Sequence, residues 1–299
     1  MGKPISFTDE QKEFIVYNYA VLKRGVNAIG RDVGIAGITI QRYLKKWGVK
    51  VRNRQEAMKE CRAHNVNDDY FKVQSHNMAY ILGFLASDGG VSKSSNHFSI
   101  DIQRADEEIL YKIKDELSYE GPIEHYTNNS GHEYSRLRVC SYTIKQDLAH
   151  YGIIPHKTFT LVPPTFLDER YFISYIRGYF DGDGCIWTNY KKYQYNWYIC
   201  GARKEVIEWM RQVLLNKYGI ITSLSTSTKT LSQGDHFYSM QVYKKETILK
   251  LFEILYVPNS IYMERKYQIM KTFYDIKSTR LYSSNVEEKR YAELTQIQE

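Results

Sequence analysis

Cysteine is scarce in this sequence: four residues in 299 (Cys61, Cys140, Cys185 and Cys200), with no C-x-x-C pair among them. That scarcity excludes a disulfide framework and a cysteine-built structural zinc site. The eight histidines show no ligand spacing either. Proline is limited to six residues, and no proline-, glycine- or glutamine-rich tract marks a disordered segment. The longest apolar run, around 80–86, is far shorter than the roughly 20 residues a bilayer crossing needs. The N-terminus lacks the apolar core of a signal peptide. The expectation is therefore a cytoplasmic protein with no membrane partner.

What the sequence does have is an uneven distribution of charge. Of the net +7, residues 1–62 carry all of it, with 13 Lys+Arg against 6 Asp+Glu, while the remainder balances at 28 against 28. A small basic head on a neutral body predicts that the head meets a polyanion. Within it, Thr8 or Asp9 can cap a first helix, with Glu10 and Glu13 favourably placed near its positive end. Phe14, Tyr17 and Val21 then recur at helical spacing as its apolar stripe. A second helix is expected over 27–33, a turn over 34–37, and a third helix over 38–47. Ile40, Leu44 and Trp47 share one face of that third helix, leaving Thr39, Gln41, Arg42, Lys45 and Lys46 on the other. The spacing Gly30…Gly34…Ile40 resembles the small residue, turn glycine and buried aliphatic of helix-turn-helix domains, in which the third helix enters the major groove. By that resemblance Gln41 and Arg42 are candidates for base edges, and Lys45, Lys46 and Lys50 for phosphates. A three-helix protein-interaction module is the alternative. Residues 51–69 read as a connection.

The body is an internal duplication. Tyr80-Ile-Leu-Gly-Phe-Leu-Ala-Ser-Asp-Gly-Gly-Val91 and Tyr175-Ile-Arg-Gly-Tyr-Phe-Asp-Gly-Asp-Gly-Cys-Ile186 are both apolar runs closed by Asp-Gly. Alternating stretches follow (98–103; 195–200), then amphipathic helices (106–117; 204–215), second alternating stretches (136–140; 238–243) and further helices (143–150; 247–255). Lys157 and Lys266 close the two units. A unit of helix, two strands, helix, two strands and helix cannot bury both faces of its sheet alone; two such units can share a core. Gly83 with Ser87, and Gly178 with Gly182, are small residues four apart, which lets the two leading helices approach closely.

These features together resemble the LAGLIDADG homing endonucleases in their single-chain, two-motif form, with a helix-turn-helix domain added. The resemblance covers about residues 77–277, with the signature helices at 81–89 and 176–184. It implies an α+β fold: a pseudo-twofold duplicated αββαββα nuclease domain behind a small all-α domain. The domains would be 1–66, 67–277 (repeats about 77–165 and 170–277) and a C-terminal tail, 278–299, with no functional signal. The first motif departs from the pattern with Ala86 and Ser87, whereas the second keeps Asp181 and Gly182. Arg177 stands where a small or apolar residue is usual and is expected to point away from the helix seam.

The resemblance makes Asp88 and Asp183 the metal-binding carboxylates of a double-strand DNA cut. Elementary electrostatics agrees, because two carboxylates beside two negative helix ends form a costly cluster without a cation. Oxygen-only ligands favour a hard ion, Mg²⁺ or Mn²⁺, with the Gly89 and Gly184 carbonyls expected to complete the coordination. Lys157 and Lys266 fall where the family often places a basic residue near the reactive water, with Arg265 as an alternative occupant. Base reading is expected from the outward residues of the strands: Ser99, Asp101 and Gln103; Arg136 and Arg138; Ser239, Gln241 and Tyr243. The partner would be an asymmetric duplex bound by a monomer. Two other readings remain open: a DNA-binding regulator without nuclease activity on the same scaffold, and an RNA maturase.

Overall fold

The computed structural model describes residues 5–189, 194–230 and 236–278. The chain divides into two compact units, Met1–Asn65 and Val66–Glu299. The expected tail, 278–299, lies outside the described residues except for Ser278.

The first unit is helical: α1 (Asp9–Ala20), α2 (Val26–Val33), α3 (Gly37–Lys46) and α4 (Arg54–Glu60). Thr8 caps α1 through a reciprocal box with Gln11, each side chain accepting the other's backbone N–H. The stripe read from the sequence is not the buried one. Phe14, Tyr17 and Val21 are 42%, 53% and 59% exposed, whereas Ile15 and Tyr19 join Ile29, Ile40 and Leu44 in the core. The helix is apolar on more than one side, so spacing alone does not fix which side is buried. Gly34 ends α2 in the left-handed conformation (φ 70°). Gly30 is needed where the turn folds back, because a Cβ there would lie 2.3 Å from the Ile35 carbonyl oxygen. A second correction concerns the presumed connection: it contains α4, opened by a capping box between Asn53 and Glu56.

The second unit is the duplicated αββαββα fold. Its first half runs α5 (His76–Ser87), β1 (Gly89–Val91), β2 (His97–Gln103), α6 (Glu108–Glu116), β3 (Ile123–Thr127), β4 (Glu133–Cys140) and α7 (Tyr142–His150). The second half repeats it: α8 (Phe172–Asp183), β5 (Gly184–Asn189), β6 (Gln194–Gly201), α9 (Lys204–Tyr218), β7 (Ser223–Thr230), β8 (His236–Val242) and α10 (Lys245–Leu255), with α11 (Glu264–Ser278) after it. Each half builds one antiparallel sheet, in the orders β1-β2-β4-β3 and β5-β6-β8-β7. Only one strand of each pair is legible from alternation; β1 and β5 grow directly out of the Asp-Gly ends of the leading helices. Inward rows such as Ile100, Ile102, Leu137 and Val139, or Met240 and Val242, feed one continuous core with the helices.

Helices α5 and α8 are buried almost all round and form the seam between the halves. They run parallel. At their N-terminal ends His76 Nδ1 lies 2.9 Å from Ser174 Oγ. Midway, a Cβ on Gly83 would sit 2.0 Å from the Tyr175 carbonyl oxygen, and one on Gly178 2.0 Å from that of Tyr80. Only glycine permits this approach. Arg177 departs from expectation. It is fully buried, its guanidinium 5.2 Å from the ring centre of Tyr80 on the facing helix, and Nη1 donates to the Leu255 carbonyl at 2.7 Å. A facing aromatic and a helix-end carbonyl replace only part of what solvent would give the charge, since Nε and Nη2 are buried without a hydrogen-bond partner among the described residues.

Candidate active site

Parallel packing brings the C-terminal ends of α5 and α8 together. Asp88 caps the first helix and Asp183 is the last residue of the second. A Cβ on Gly182 would meet Ser87 Oγ at 1.9 Å and the Asp88 carboxylate at 3.2 Å, so one helix's acid lies against the other's final turn. Both carboxylates reach solvent. Surrounding protein nevertheless desolvates Asp88, and together with the charge of Asp183 this pushes its pKa up to about 6. Asp183 is also raised, by desolvation, against the opposing pull of Lys157 and Lys266.

The two lysines are buried at the same place. Lys157, opening a short 3-10 turn (Lys157–Phe159), donates to the Ser87 and Gly89 carbonyls at 3.2 and 2.5 Å. Lys266 on α11 reaches the carbonyls of Phe180, Asp181, Gly182 and Gly184 at 2.7, 2.7, 3.1 and 2.6 Å. Each ammonium thus caps its own half's signature helix, where orphan carbonyls and the negative dipole end favour a cation. Each also faces across the seam: Lys157 feels Asp183 more than Asp88, and Asp88 feels Lys266 more than Lys157. Burial lowers both lysine pKa values, with the carboxylates opposing that.

The Gly89 and Gly184 carbonyls, expected as metal ligands, are the acceptors of these lysines. Among the described residues no three His, Cys, Asp or Glu side chains gather into a metal cage. The donor set is therefore the carboxylate pair. It fits a hard divalent cation: the ligands are oxygens, they are open to solvent, and desolvation by the surrounding protein makes their ionised form costly. Arg265 is held elsewhere, in a two-pronged contact with Asp106 at 2.9 Å on each prong.

Sequence reasoning missed the polar network behind the pair. Asp181 is fully buried and accepts from Tyr80 across the seam (2.7 Å), from the Met263 N–H (2.8 Å) and from Tyr256 (3.4 Å). It thereby ties the approach to α11, and so Lys266, to the seam. The available signal was asymmetry, since Arg177 and Asp181 replace Leu82 and Ala86 of the first motif.

The expected base readers lie on outward sheet faces. Ser99, Asp101 and Gln103 alternate with buried neighbours, as do Arg136 with Arg138 and Ser239 with Gln241; Tyr243 follows β8 and is exposed. Asp101 pairs with Arg136 and Arg138 lies 3.5 Å from Glu124. In the first unit Arg42, Lys45 and Lys46 are exposed, and Thr39 and Gln41 half-buried, on the face of α3 opposite Ile40 and Leu44; Lys50, beyond the helix, is also exposed.

Residues 172–256, which span α8 to α10, match the family described as LAGLIDADG-like domain. A DNA-directed RNA polymerase subunit, Rpo1C of Methanocaldococcus jannaschii, is 29% identical over 171 residues, 56% of this chain and 18% of that protein. The chain therefore spans under a fifth of that relative's length. Among solved structures, full-length DUF199/WhiA from "Thermatoga maritima" aligns over 78% of this chain and 72% of its own at 17% identity and a TM-score of 0.46. The meganuclease I-SmaMI, bound to uncleaveable DNA, aligns over 73% and 96% at 11% identity and a TM-score of 0.44. No described helix is long and apolar enough to cross a membrane.

Proposed function

We propose that this protein is a site-specific endodeoxyribonuclease that binds a long asymmetric DNA duplex as a monomer and cuts both strands with Mg²⁺ or Mn²⁺. The observation that carries the reading is the meeting of Asp88 and Asp183, one from each half, at the ends of two glycine-packed helices. Two desolvated carboxylates side by side raise each other's cost and serve no packing purpose; a site for cations facing phosphates accounts for them. When bound there, the metal would supply an activated water and charge stabilisation at the leaving oxygen. The protein's own residues hold that arrangement. Lys157 and Lys266 fix the helix ends so that the carboxylates stay together, and their charges favour an anionic backbone nearby. The outward sheet rows would lie along the major groove, and α3 of the first unit would add a helix-turn-helix contact through Gln41, Arg42, Lys45 and Lys46.

One observation favours a second reading, a duplex-binding protein without nuclease activity. Two buried ammonium groups already balance the two carboxylates, so the fold is not obliged to recruit a cation. Incubation of the full chain with Mg²⁺ and its own genomic DNA separates the two. Discrete linear products with Mg²⁺ and none with a chelator support the nuclease; retained binding with no product under either condition supports the binder.

A further inference from the structure

The two sheets share a topology but not a surface chemistry. Outward rows of the first carry Arg136, Arg138, Asp101 and Glu124. Arg136 is pre-set: its Nε is bonded to Asp101, its guanidinium stacks 4.7 Å from the Tyr126 ring centre, and Tyr126 in turn donates to Asp101 at 2.9 Å. With Nε tied to Asp101 and Nη2 donating to the Tyr126 hydroxyl at 3.5 Å, the guanidinium is held in one orientation on the outward face, where it can meet an acceptor on the major-groove edge of guanine.

No described side chain on the outward rows of the second sheet is charged. Tyr198, Gln241 and Ser223 form one cross-strand row, and Cys200, Ser239 and Ser225 the next. Gln241 Nε2 donates to both Ser225 and Ser239 at 2.8 Å, knitting the rows into a neutral hydroxyl and amide lattice. Three aromatic rings stand out of this polar face: Trp187, Phe237 and Tyr243 are 43%, 42% and 58% exposed. Exposed rings beside these hydroxyl and amide groups suit the thymine methyl group and the mixed donors and acceptors of an A·T pair. Each face adjoins the carboxylates, since β1 and β5 start one residue beyond Asp88 and Asp183.

We propose that the two halves read chemically different half-sites: β1–β4 a guanine-containing half through Arg136, and β5–β8 an A·T-rich half through aromatic contacts to thymine methyls. This rests on the duplex-binding reading above and specifies its substrate.

The test is selection of a random-sequence duplex library by the full chain without divalent cation, so that nothing is cut, repeated with Arg136→Ala and Trp187→Ala. The expected motif has one half with fixed guanines and one rich in A·T. Arg136→Ala should relax the guanine positions roughly tenfold or more, and Trp187→Ala the thymine positions severalfold, each in its own half alone. Replacing thymine by deoxyuridine, which lacks only the methyl, should weaken binding severalfold in the A·T-rich half. A motif whose halves match in composition, two variants that relax the same half, or indifference to the missing methyl overturns the proposal while leaving duplex binding intact. Failure of the chain to retain any duplex overturns the proposed function itself, and a protein captured on the aromatic face instead would show that this face is not a DNA reader.

Discussion

The first half of the seam is a plain apolar helix with Leu82 and Ala86 facing inward, whereas the second carries Arg177 and Asp181 at the same positions, both fully buried. Everything else at the seam is nearly symmetric: a glycine from each helix admits the other's backbone, an aspartate ends each, and a lysine caps each. The comparison teaches that two halves of one geometry can bury different polar groups at a shared seam. Asp181 draws in Tyr80, Tyr256 and the Met263 N–H, and Arg177 draws in Leu255. The site is built by two halves, and both hold the segment that delivers α11: the second through Asp181, the first through Lys112 on the Tyr262 carbonyl, Glu108 on the Glu264 N–H and Asp106 on Arg265.

The largest effect should come from breaking what the halves share. Gly83→Ala and Gly178→Ala each place a methyl about 2 Å from rigid backbone, so each should cost about 3 kcal/mol or more in denaturant unfolding. Gly90→Ala, whose Cβ meets Ser99 at ordinary contact distance (Oγ at 3.5 Å, the carbonyl oxygen at 3.9 Å), should be tolerated. Breaking what they do not share comes next. Asp181→Ala leaves Arg177 buried beside unpaired Tyr80 and should cost about 3 kcal/mol. Adding Arg177→Leu, which copies the first motif, should recover at least about 1 kcal/mol of that in a double-mutant cycle. Strict additivity would show that the two do not act as a pair. The lysines should differ in the same direction. Lys266→Met removes the cap of four carbonyls and Lys157→Met that of two, so thermal melting should fall further for Lys266→Met.

The smallest effect is a pH dependence. Asp88 has a folded-state pKa raised to about 6, above its unfolded value. The folded protein therefore holds this proton more tightly than the unfolded chain. Without divalent cation, stability should rise as pH falls from 7 towards 5, and Asp88→Asn should remove part of that rise. A melting temperature that instead drops through this window in the wild type alone would contradict the raised pKa.

Much of this was legible in the residues. The repeat, the glycine seam, the two terminal acids and the inward and outward rows of β2, β4 and β8 follow from spacing and alternation, which are local properties. What was not legible depends on contacts distant in the chain. The lysine caps join residues 68 to 86 apart, and no local pattern names a carbonyl as a partner. Arg177 reads as a solvent-seeking charge until Leu255 and Tyr80 are brought to it. The face of α1 was misread because Phe14 and Tyr17 compete with Ile15 and Tyr19 for the same periodicity, and only the neighbouring helices decide between them.

The most direct measurement is the rate of Mg²⁺-dependent cleavage of a selected duplex by Asp88→Asn, Asp183→Asn and the double variant, with binding confirmed for each. If the carboxylates form one centre, each single change should abolish double-strand cutting by several orders of magnitude, with the double variant scarcely worse. Undiminished cutting by either single variant, or losses that simply multiply, would contradict a centre shared between the halves.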